Sequence, residues 1–444
     1  MDAKTYIIKT FGCQMNEHDT QKIGGVLGGL GFEPARFEEE ADFILFNTCT
    51  VREKAHQKAF SAIGRTVAKK RPISLIAVCG CMAQEEGAKL LSRFPEIDII
   101  FGPDQIYRLP ELLKTRNETG RPAIATELIN SQEDYHFLDS VPAMRFHGPT
   151  AYVTIMKGCN SHCSYCIVPK VRGTEVYRPW RDIVREVQYL VEKGCREVTL
   201  LGQNVNSYGT GAEDGVRFGK LIRLISDNTD VERIRFTSPH PKDVDCDLIE
   251  EYATNPKLCS HIHLPLQSGS DMVLRRMRRA YNRKTYRAKI EKLRKVRPSI
   301  AISTDMIVGF CGETEAEFQS TLDFLQEIRF DYIYAFKYSP RPDTEAHQFP
   351  DDVPPGVKEK RLSELFTLQA KISHEINQSY VGRTEAVLVE GEDKLGKGRS
   401  QGRTETNKIA NFSGNDVPIG VIVNVEIKKA NANSLEGILC QKSR

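Results

Sequence analysis

Short apolar runs alternate with amphipathic stretches along most of the chain, and the texture changes near residues 116 and 384. Between residues 5 and 115, apolar runs at 6–10, 43–47, 74–78 and 97–101 have strand length. Each is followed by a stretch with helical spacing, at about 17–30, 52–69, 84–94 and 105–113. Strand and helix in strict alternation predict an open, mostly parallel sheet. Residues 116–145 are polar, contain proline and read as a connection, with a candidate short strand at 134–138. The alternation then resumes, with strands predicted at 152–156, 197–201, 233–237, 261–264, 301–307 and 331–336 and a long last helix at about 358–377. Six such units predict a partial barrel, an open relative of the eight-fold one, with active residues at the carboxyl ends of its strands. From residue 384 short β-like runs at 385–390, 408–411, 421–427 and 435–439 lie between Gly- and Asn-rich turns, which predicts a small β-barrel. The fold class is therefore α/β: an N-terminal open parallel sheet, a central partial (β/α)6 barrel and a C-terminal small β-barrel.

Composition narrows the function. A chain of 444 residues is too long for one ordinary domain and can bury a large core. With no apolar run of membrane length and no charged-then-apolar leader, a soluble cytoplasmic protein without a membrane partner is expected. Twelve cysteines in that setting point to metal or catalysis rather than a disulfide scaffold. A net charge of +3 excludes a generic polyanion binder. The charge is uneven, however. Residues 275–297 hold twelve Lys and Arg against Glu291 alone, a local +11 that leaves −8 for the rest. Such a segment is a solvated helix face or a seat for a phosphate backbone.

The cysteines carry the chemistry. Residues 158–169 read Gly-Cys-Asn-Ser-His-Cys-Ser-Tyr-Cys-Ile-Val-Pro, which places Cys159, Cys163 and Cys166 at spacing C-x3-C-x2-C behind a predicted strand. A structural zinc site wants four protein ligands, and the fourth is not nearby in sequence. Three thiolates on a [4Fe–4S] cube would leave one iron open for a small molecule. A zinc loop is the plain alternative. In the N-terminal part, Cys13, Cys49 and Cys81 follow the first three predicted strands. Ligands of parallel sheets gather outside the carboxyl ends of the strands, so these three converge on one edge and suggest a second metal site. Cys79-Gly80-Cys81 offers two thiols there, and strand geometry leaves the choice open. In the central barrel, polar residues stand at predicted strand ends: Gly202-Gln203-Asn204, Ser238-Pro239-His240, Gln267-Ser268-Gly269, and Asp305 as the end of the fifth strand. Together they predict a polar ligand pocket. Lys394, Lys397, Arg399 and Arg403 make a basic, glycine-punctuated loop in the tail, either a solvated hairpin or a grip on phosphates.

Four motifs carry a resemblance over nearly the whole chain: Phe11-Gly-Cys-Gln-Met-Asn16, Asn47-Thr-Cys-Thr-Val-Arg52, Gly80-Cys-Met-Ala-Gln84 and the loop 158–169. The chain resembles the radical S-adenosylmethionine (radical-SAM) methylthiotransferases. Their plan implies an N-terminal methylthiotransferase domain at 3–118, a radical-SAM core at 145–376 and a TRAM domain at 379–442. Leu200-Leu-Gly-Gln-Asn-Val-Asn-Ser-Tyr-Gly209, Arg235-Phe-Thr-Ser-Pro-His-Pro241, His263-Leu-Pro-Leu-Gln-Ser-Gly-Ser270 and Tyr338-Ser-Pro-Arg-Pro342 are most similar to the MiaB type. The resemblance implies two [4Fe–4S] clusters, one on Cys159, Cys163 and Cys166 and one on Cys13, Cys49 and Cys81, which selects Cys81 over Cys79. It implies S-adenosylmethionine as cofactor and methyl source. Gly202, Gln203, Asn204, Gln267, Ser268 and Asp305 are the expected cofactor or substrate contacts.

The implied reaction places a methylthio group on C2 of an N6-dimethylallyladenosine beside the anticodon of tRNA. An aromatic C–H resists acid/base chemistry, so a radical cofactor carries that step. An electron donor such as a flavodoxin or ferredoxin and a sulfur source are the further expected partners. Tyr208 is a candidate to line the prenyl pocket, with an exposed loop tyrosine as its plain alternative. One departure is Cys311, where the family usually has Pro, in a turn after the fifth strand. Alternatives are a related enzyme acting on threonylcarbamoyl-adenosine or on a ribosomal protein, and a zinc-dependent nucleic-acid-binding protein.

Overall fold

The computed structural model describes residues 4–51, 53–135, 148–393, 398–414 and 417–440. The chain forms two compact units. One holds residues 1–146, 156–161 and 166–178, and the other holds 147–155, 162–165 and 179–444.

In the first unit β1 (Thr5–Thr10) leads into α1 (Gln14–Gly29), followed by β2 (Glu33–Pro34), β3 (Phe43–Thr48), α2 (Glu53–Val67) and β4 (Leu75–Gly80). Then come α3 (Cys81–Glu86), α4 (Lys89–Arg93), β5 (Ile99–Phe101), α5 (Leu109–Thr119) and β6 (Ala123–Ala125). The six strands are parallel in the order β2-β1-β3-β4-β5-β6. Every residue of β3 is buried, as expected of a central strand covered on both faces. Two apolar clusters flank the sheet: Phe43, Leu45, Ala77 and Cys79 belong to one, Ile44, Phe46, Ile76 and Val78 to the other. Strand alternation divides them.

Three sequence expectations are corrected here. The third strand runs on to Gly80, so Cys79 lies within it. The helix expected at 84–94 is two helices, broken where Gly87 takes φ +50°. The connection after residue 115 contains β6, whose three residues follow Pro122 and give too short an apolar run to stand out. Of the candidate strand at 134–138, Asp134 lies in a turn and residues 136–138 lie outside the described residues. This unit also holds β8 (Met156–Lys157), α6 (Val168–Arg172) and β9 (Val176–Tyr177), with β8 antiparallel to β9.

The second unit carries six parallel strands: β7 (Thr150–Thr154), β10 (Glu197–Leu201), β11 (Arg233–Phe236), β12 (His261–His263), β13 (Ala301–Val308) and β14 (Tyr332–Lys337). They form two three-stranded sheets, β11-β10-β7 and β12-β13-β14, with a parallel bridge from Ile234 of β11 to Leu258, in the segment leading into β12. This is the expected partial barrel in sequential strand order. Its helices are α7 (Trp180–Glu192), α8 (Phe218–Asn228), α9 (Cys246–Thr254), α10 (Asp271–Arg276), α11 (Arg283–Val296) and α12 (Glu315–Ile328). Asp305 does not end the fifth strand: β13 pairs with β14 through Val308 and places it mid-strand.

The long α13 (Pro355–Gln378) leads to a closed five-stranded barrel, β15 (Thr384–Glu392), β16 (Ser400–Thr404), β17 (Ile409–Ser413), β18 (Ile422–Ala430) and β19 (Leu435–Leu439), ordered β15-β16-β17-β19-β18. Hydrophobic runs point to four of these. β16 reads Ser-Gln-Gly-Arg-Thr and is a strand because both its edges are paired. The small barrel is bonded into the partial barrel. Arg233 donates to the carbonyls of Arg403 (2.9 Å) and Ala386 (2.8 Å), and Arg235 to those of Glu405 (3.0 Å) and Thr404 (2.8 Å). Lys408 pairs with Asp331 at 2.7 Å.

Candidate functional site

Cys13, Cys49 and Cys81 follow β1, β3 and β4, which are neighbours in the sheet. Register pairs Thr10 with Asn47 and Thr48 with Gly80, so the three turns leave one edge side by side. Two buried asparagines join them. The Cys13 N–H donates to Asn16 Oδ1 at 3.2 Å, Asn16 Nδ2 donates to Asn47 Oδ1 at 2.9 Å, and Asn47 Nδ2 donates to the Asn16 carbonyl at 2.8 Å. Gly80 takes φ +90°, and a Cβ there would stand 2.3 Å from the Thr48 carbonyl oxygen. That turn is open only to glycine. It puts Cys81 at the first position of α3. Cys79 instead packs in the apolar cluster with Tyr6, Ile23 and Phe101.

Burial pushes the Cys81 thiol up to about 12, with Arg172 opposing the shift and Cys49 and Cys13 adding to it. Arg172 Nε donates to Cys81 Sγ at 3.3 Å and its Nη2 to Asp19 at 2.9 Å; Arg172 itself is buried. Arg172 ends α6, the helix that begins two residues after Cys166. Ile167 and Val171 pack directly on Cys81. Beside them Lys157, 1% exposed, pairs with Asp104 at 2.8 Å.

The loop with the second triad has residues in both units. Gly158 precedes Cys159 at φ +79°, where a Cβ would meet the Thr174 carbonyl at 1.9 Å. The Cys159 N–H donates to the Gly173 carbonyl at 3.1 Å, and the Ser161 N–H reaches Cys159 Sγ at 3.4 Å. In the second unit Ser164 is fixed to the turn after α10, its N–H on the Met277 carbonyl at 3.1 Å. Arg279 Nη1 donates to Cys163 Sγ at 3.2 Å, its Nε to Tyr281 Oη at 2.7 Å and its Nη2 to the Pro265 carbonyl at 3.1 Å.

Each set thus contains a thiol that accepts a hydrogen bond from a guanidinium, that of the buried Arg172 or of the half-buried Arg279. A hydrogen-bonded, all-thiolate donor set fits iron–sulfur ligation. Among the described residues no group of three His, Cys, Asp or Glu is gathered tightly enough for one ion. A cube spreads its thiolates over different irons, so it asks for a wider set than zinc does.

The rim residues of the partial barrel divide. Gly202 and Asn204 are buried, Asn204 donating to Asp243 at 2.9 Å, and Gln203 is half-buried. Gln267, at φ +73°, bonds through its backbone to Asp305 and Ile307. Ser268 is fully buried; its hydroxyl accepts from the Ser270 N–H at 3.2 Å and lies 3.5 Å from the Thr321 hydroxyl. Asp305 stands 3.4 Å from His263 Nε2, and Ser303 Oγ lies 3.0 Å from both His263 Nδ1 and His261 Nε2. Along β14 the same-face residues Tyr332, Tyr334 and Phe336 are 43%, 44% and 38% exposed, and Tyr334 packs edge-on against His263. His240 caps a short 3-10 helix by accepting the Lys242 N–H at Nδ1. Burial, with Arg279, Lys242 and Lys289 nearby, holds it down at about 2, so the ring is neutral.

Other expectations shift. Tyr208 is 4% exposed and so neither of an exposed loop nor open on a surface. Cys311 fills an apolar cluster with Phe310, Met277 and Tyr338. The basic stretch 275–297 is mostly engaged within the fold. Arg276, Arg278, Arg283 and Arg287 pair with Glu317, Glu345 and Glu327, and Lys289, Arg294 and Arg297 reach main-chain carbonyls. Arg399 pairs with Asp393 and Arg403 with Glu390, while Lys394 and Lys397 lie outside the described residues. Arg172, Asp19 and Arg279 carry no sequence spacing that marks them, and only the fold brings them to the thiols; His263 opens the motif at 263–270, but its place beside Asp305 comes from the fold.

Among the described residues no helix is long and apolar enough to cross a membrane. Three family models match the chain: one described only as an uncharacterized protein family over residues 5–102, the radical SAM superfamily over 153–325, and the TRAM domain over 378–440. A protein of Ralstonia nicotianae named tRNA-2-methylthio-N(6)-dimethylallyladenosine synthase is 45% identical over 448 residues, covering 98% of this chain and 97% of its own. A protein of the same name from Acidovorax sp. is 45% identical over 440 residues, with the same coverage. Among solved structures, the radical S-adenosylmethionine methyltransferase TsrM of Kitasatospora setae superposes with a TM-score of 0.54 at 12% identity, over 83% of this chain and 89% of its own. The cobalamin-dependent radical enzyme OxsB gives 0.52 at 13%, over 83% and 56%. Those two likenesses show the fold. With 45% identity over nearly its full length, the chain belongs to the radical-SAM enzymes of the tRNA-2-methylthio-N(6)-dimethylallyladenosine synthase family.

Proposed function

We propose that this protein is a cytoplasmic tRNA methylthiotransferase that converts N6-dimethylallyladenosine beside the anticodon to its 2-methylthio derivative. The observation that carries the reading is the full-length identity to synthases of that name, joined to cysteines at every position the chemistry asks for. Two [4Fe–4S] clusters with S-adenosylmethionine would supply the radical and the sulfur transfer when bound. Cys159, Cys163 and Cys166 hold one cluster, and Cys13, Cys49 and Cys81 hold the other. Arg172 and Arg279 donate to one thiolate of each set. Gly202, Gln203, Asn204, Gln267 and Asp305 line the cofactor and substrate pocket, with Ser268 shaping the turn beneath them. His263 orients Asp305, and the exposed rings of β14 offer a stacking face to nucleobases. A base in an anticodon loop can be splayed onto such rings without opening a duplex. A flavodoxin- or ferredoxin-like donor supplies electrons, and a separate source renews the sulfur.

The test is an anaerobic assay on matched anticodon stem-loops bearing adenosine, dimethylallyl-adenosine or threonylcarbamoyl-adenosine. Methylthio product from the dimethylallyl form alone is expected. Preference for the threonylcarbamoyl form, or activity only on a ribosomal protein, overturns the substrate. A colourless protein holding zinc after anaerobic reconstitution with iron and sulfide overturns the chemistry.

A further inference from the structure

We infer that Arg172, with Asp19 as its counter-ion, is a positioning residue that sets the reduction potential of the cluster held by Cys13, Cys49 and Cys81. The inference rests on the ligand reading above. Arg172 is 5% exposed, donates to Cys81 Sγ at 3.3 Å and is held by Asp19 at 2.9 Å. Its Asp19 contact crosses from α6 to α1, the helix capped by Cys13. The guanidinium therefore ties the helix that follows Cys13 to Cys81 and touches the sulfur of Cys81. Burying a cation this completely is costly unless anions surround it. Asp19 neutralises it in part, and a thiolate at Cys81 completes the pairing.

A donor to a ligand sulfur draws electron density from it and stabilises the cluster's more negative, reduced form. The couple is the one-electron reduction of the cube from 2+ to 1+. Asp19 opposes the effect by neutralising the donor. The two residues therefore act on the potential with opposite sign, which a merely structural role would not produce.

The experiment uses the full-length chain carrying Cys159, Cys163 and Cys166→Ala, reconstituted anaerobically with iron and sulfide, so that one cluster remains. Its midpoint potential is read by spectroelectrochemistry with dithionite as reductant, alongside iron content and the electron paramagnetic resonance signal of the reduced state. Arg172→Met should keep the iron and make reduction about tenfold less favourable, ~59 mV lower for one electron. Arg172→Lys should restore most of that, and Asp19→Asn should move the potential upward. Full iron with an unmoved potential in both Arg172→Met and Asp19→Asn overturns the inference alone. A background chain that binds no iron overturns the ligand reading and the inference with it. Where Arg172→Met fails to assemble, Asp19→Asn decides: an upward shift supports the inference, and no shift or a downward one overturns it.

Discussion

Gly80 and Cys81 are adjacent, and the conformation of the first places the second. At φ +90° with the Thr48 carbonyl 2.3 Å from where a Cβ would sit, alanine would meet both backbone strain and a clash. Strain of that kind costs about 1–3 kcal/mol and persists only where the surroundings enforce it. Gly80→Ala should therefore displace Cys81 and lower bound iron from about eight per chain to about four. Cys79→Ala should keep all of it, because that thiol packs among Tyr6, Ile23 and Phe101; iron analysis of the two variants separates them. His240 makes a pH prediction. Its folded value is about 2 against 6.5 for a free ring. Above pH 6.5 the ring is neutral in both states and costs nothing. As pH falls below 6.5 the unfolded chain takes up a proton that the folded chain refuses, so stability falls, by up to ~1.4 kcal/mol per pH unit. Thermal unfolding between pH 7.5 and 5.5 should show that loss, and His240→Gln should flatten it.

At the scale of elements, β14 presents Tyr332, Tyr334 and Phe336 on one exposed face, beside His263 and Asp305. Stacking on an aromatic ring is worth about 1–3 kcal/mol per base. Tyr334→Ala should raise the KM for a stem-loop roughly tenfold with iron content unchanged, and Tyr334→Phe should retain most of the affinity. The strands and helices themselves were legible because buried parallel strands are apolar runs and their helices are amphipathic. What escaped shows the limit of that signal. β16 is polar and becomes a strand only through its neighbours, and β6 is three residues behind a proline. Twelve basic residues in one stretch read as a solvated helix face or a seat for a polyanion. Seven of them are spent on Glu317, Glu345, Glu327 and main-chain carbonyls, pairings that only the fold creates. The six candidate ligand cysteines were readable because three each follow a strand and the other three keep C-x3-C-x2-C spacing in one loop; the arginines behind Cys81 and Cys163 come from α6 and the turn after α10, far off in sequence.

At the scale of the molecule, the C-terminal barrel reads in sequence as a small domain whose basic loop is either a solvated hairpin or a grip on phosphates. Its bonds to the partial barrel make it part of the scaffold. Arg233 and Arg235, the first and third residues of β11, end on four carbonyls of the small barrel, and Lys408 returns the link by pairing with Asp331 beside β14. Arg235 also pairs with the buried Glu197 at 2.8 Å. Hydrogen bonds to charged groups contribute about 1.5–3 kcal/mol each. Four of them, with the Lys408 pair, couple the two barrels well beyond the ~1 kcal/mol at most typical of a surface salt bridge. Calorimetry should therefore show the small barrel and the partial barrel unfolding in one transition. Removing residue 384 onward should lower the unfolding temperature of what remains, and Arg233→Met with Arg235→Met in the intact chain should split the transition in two. If the truncated chain melts where the intact one does, the contact is incidental, and any loss of tRNA binding on truncation then belongs to the small barrel's own surface. If it melts lower, that loss has to be read against iron content before it is assigned to phosphate contacts.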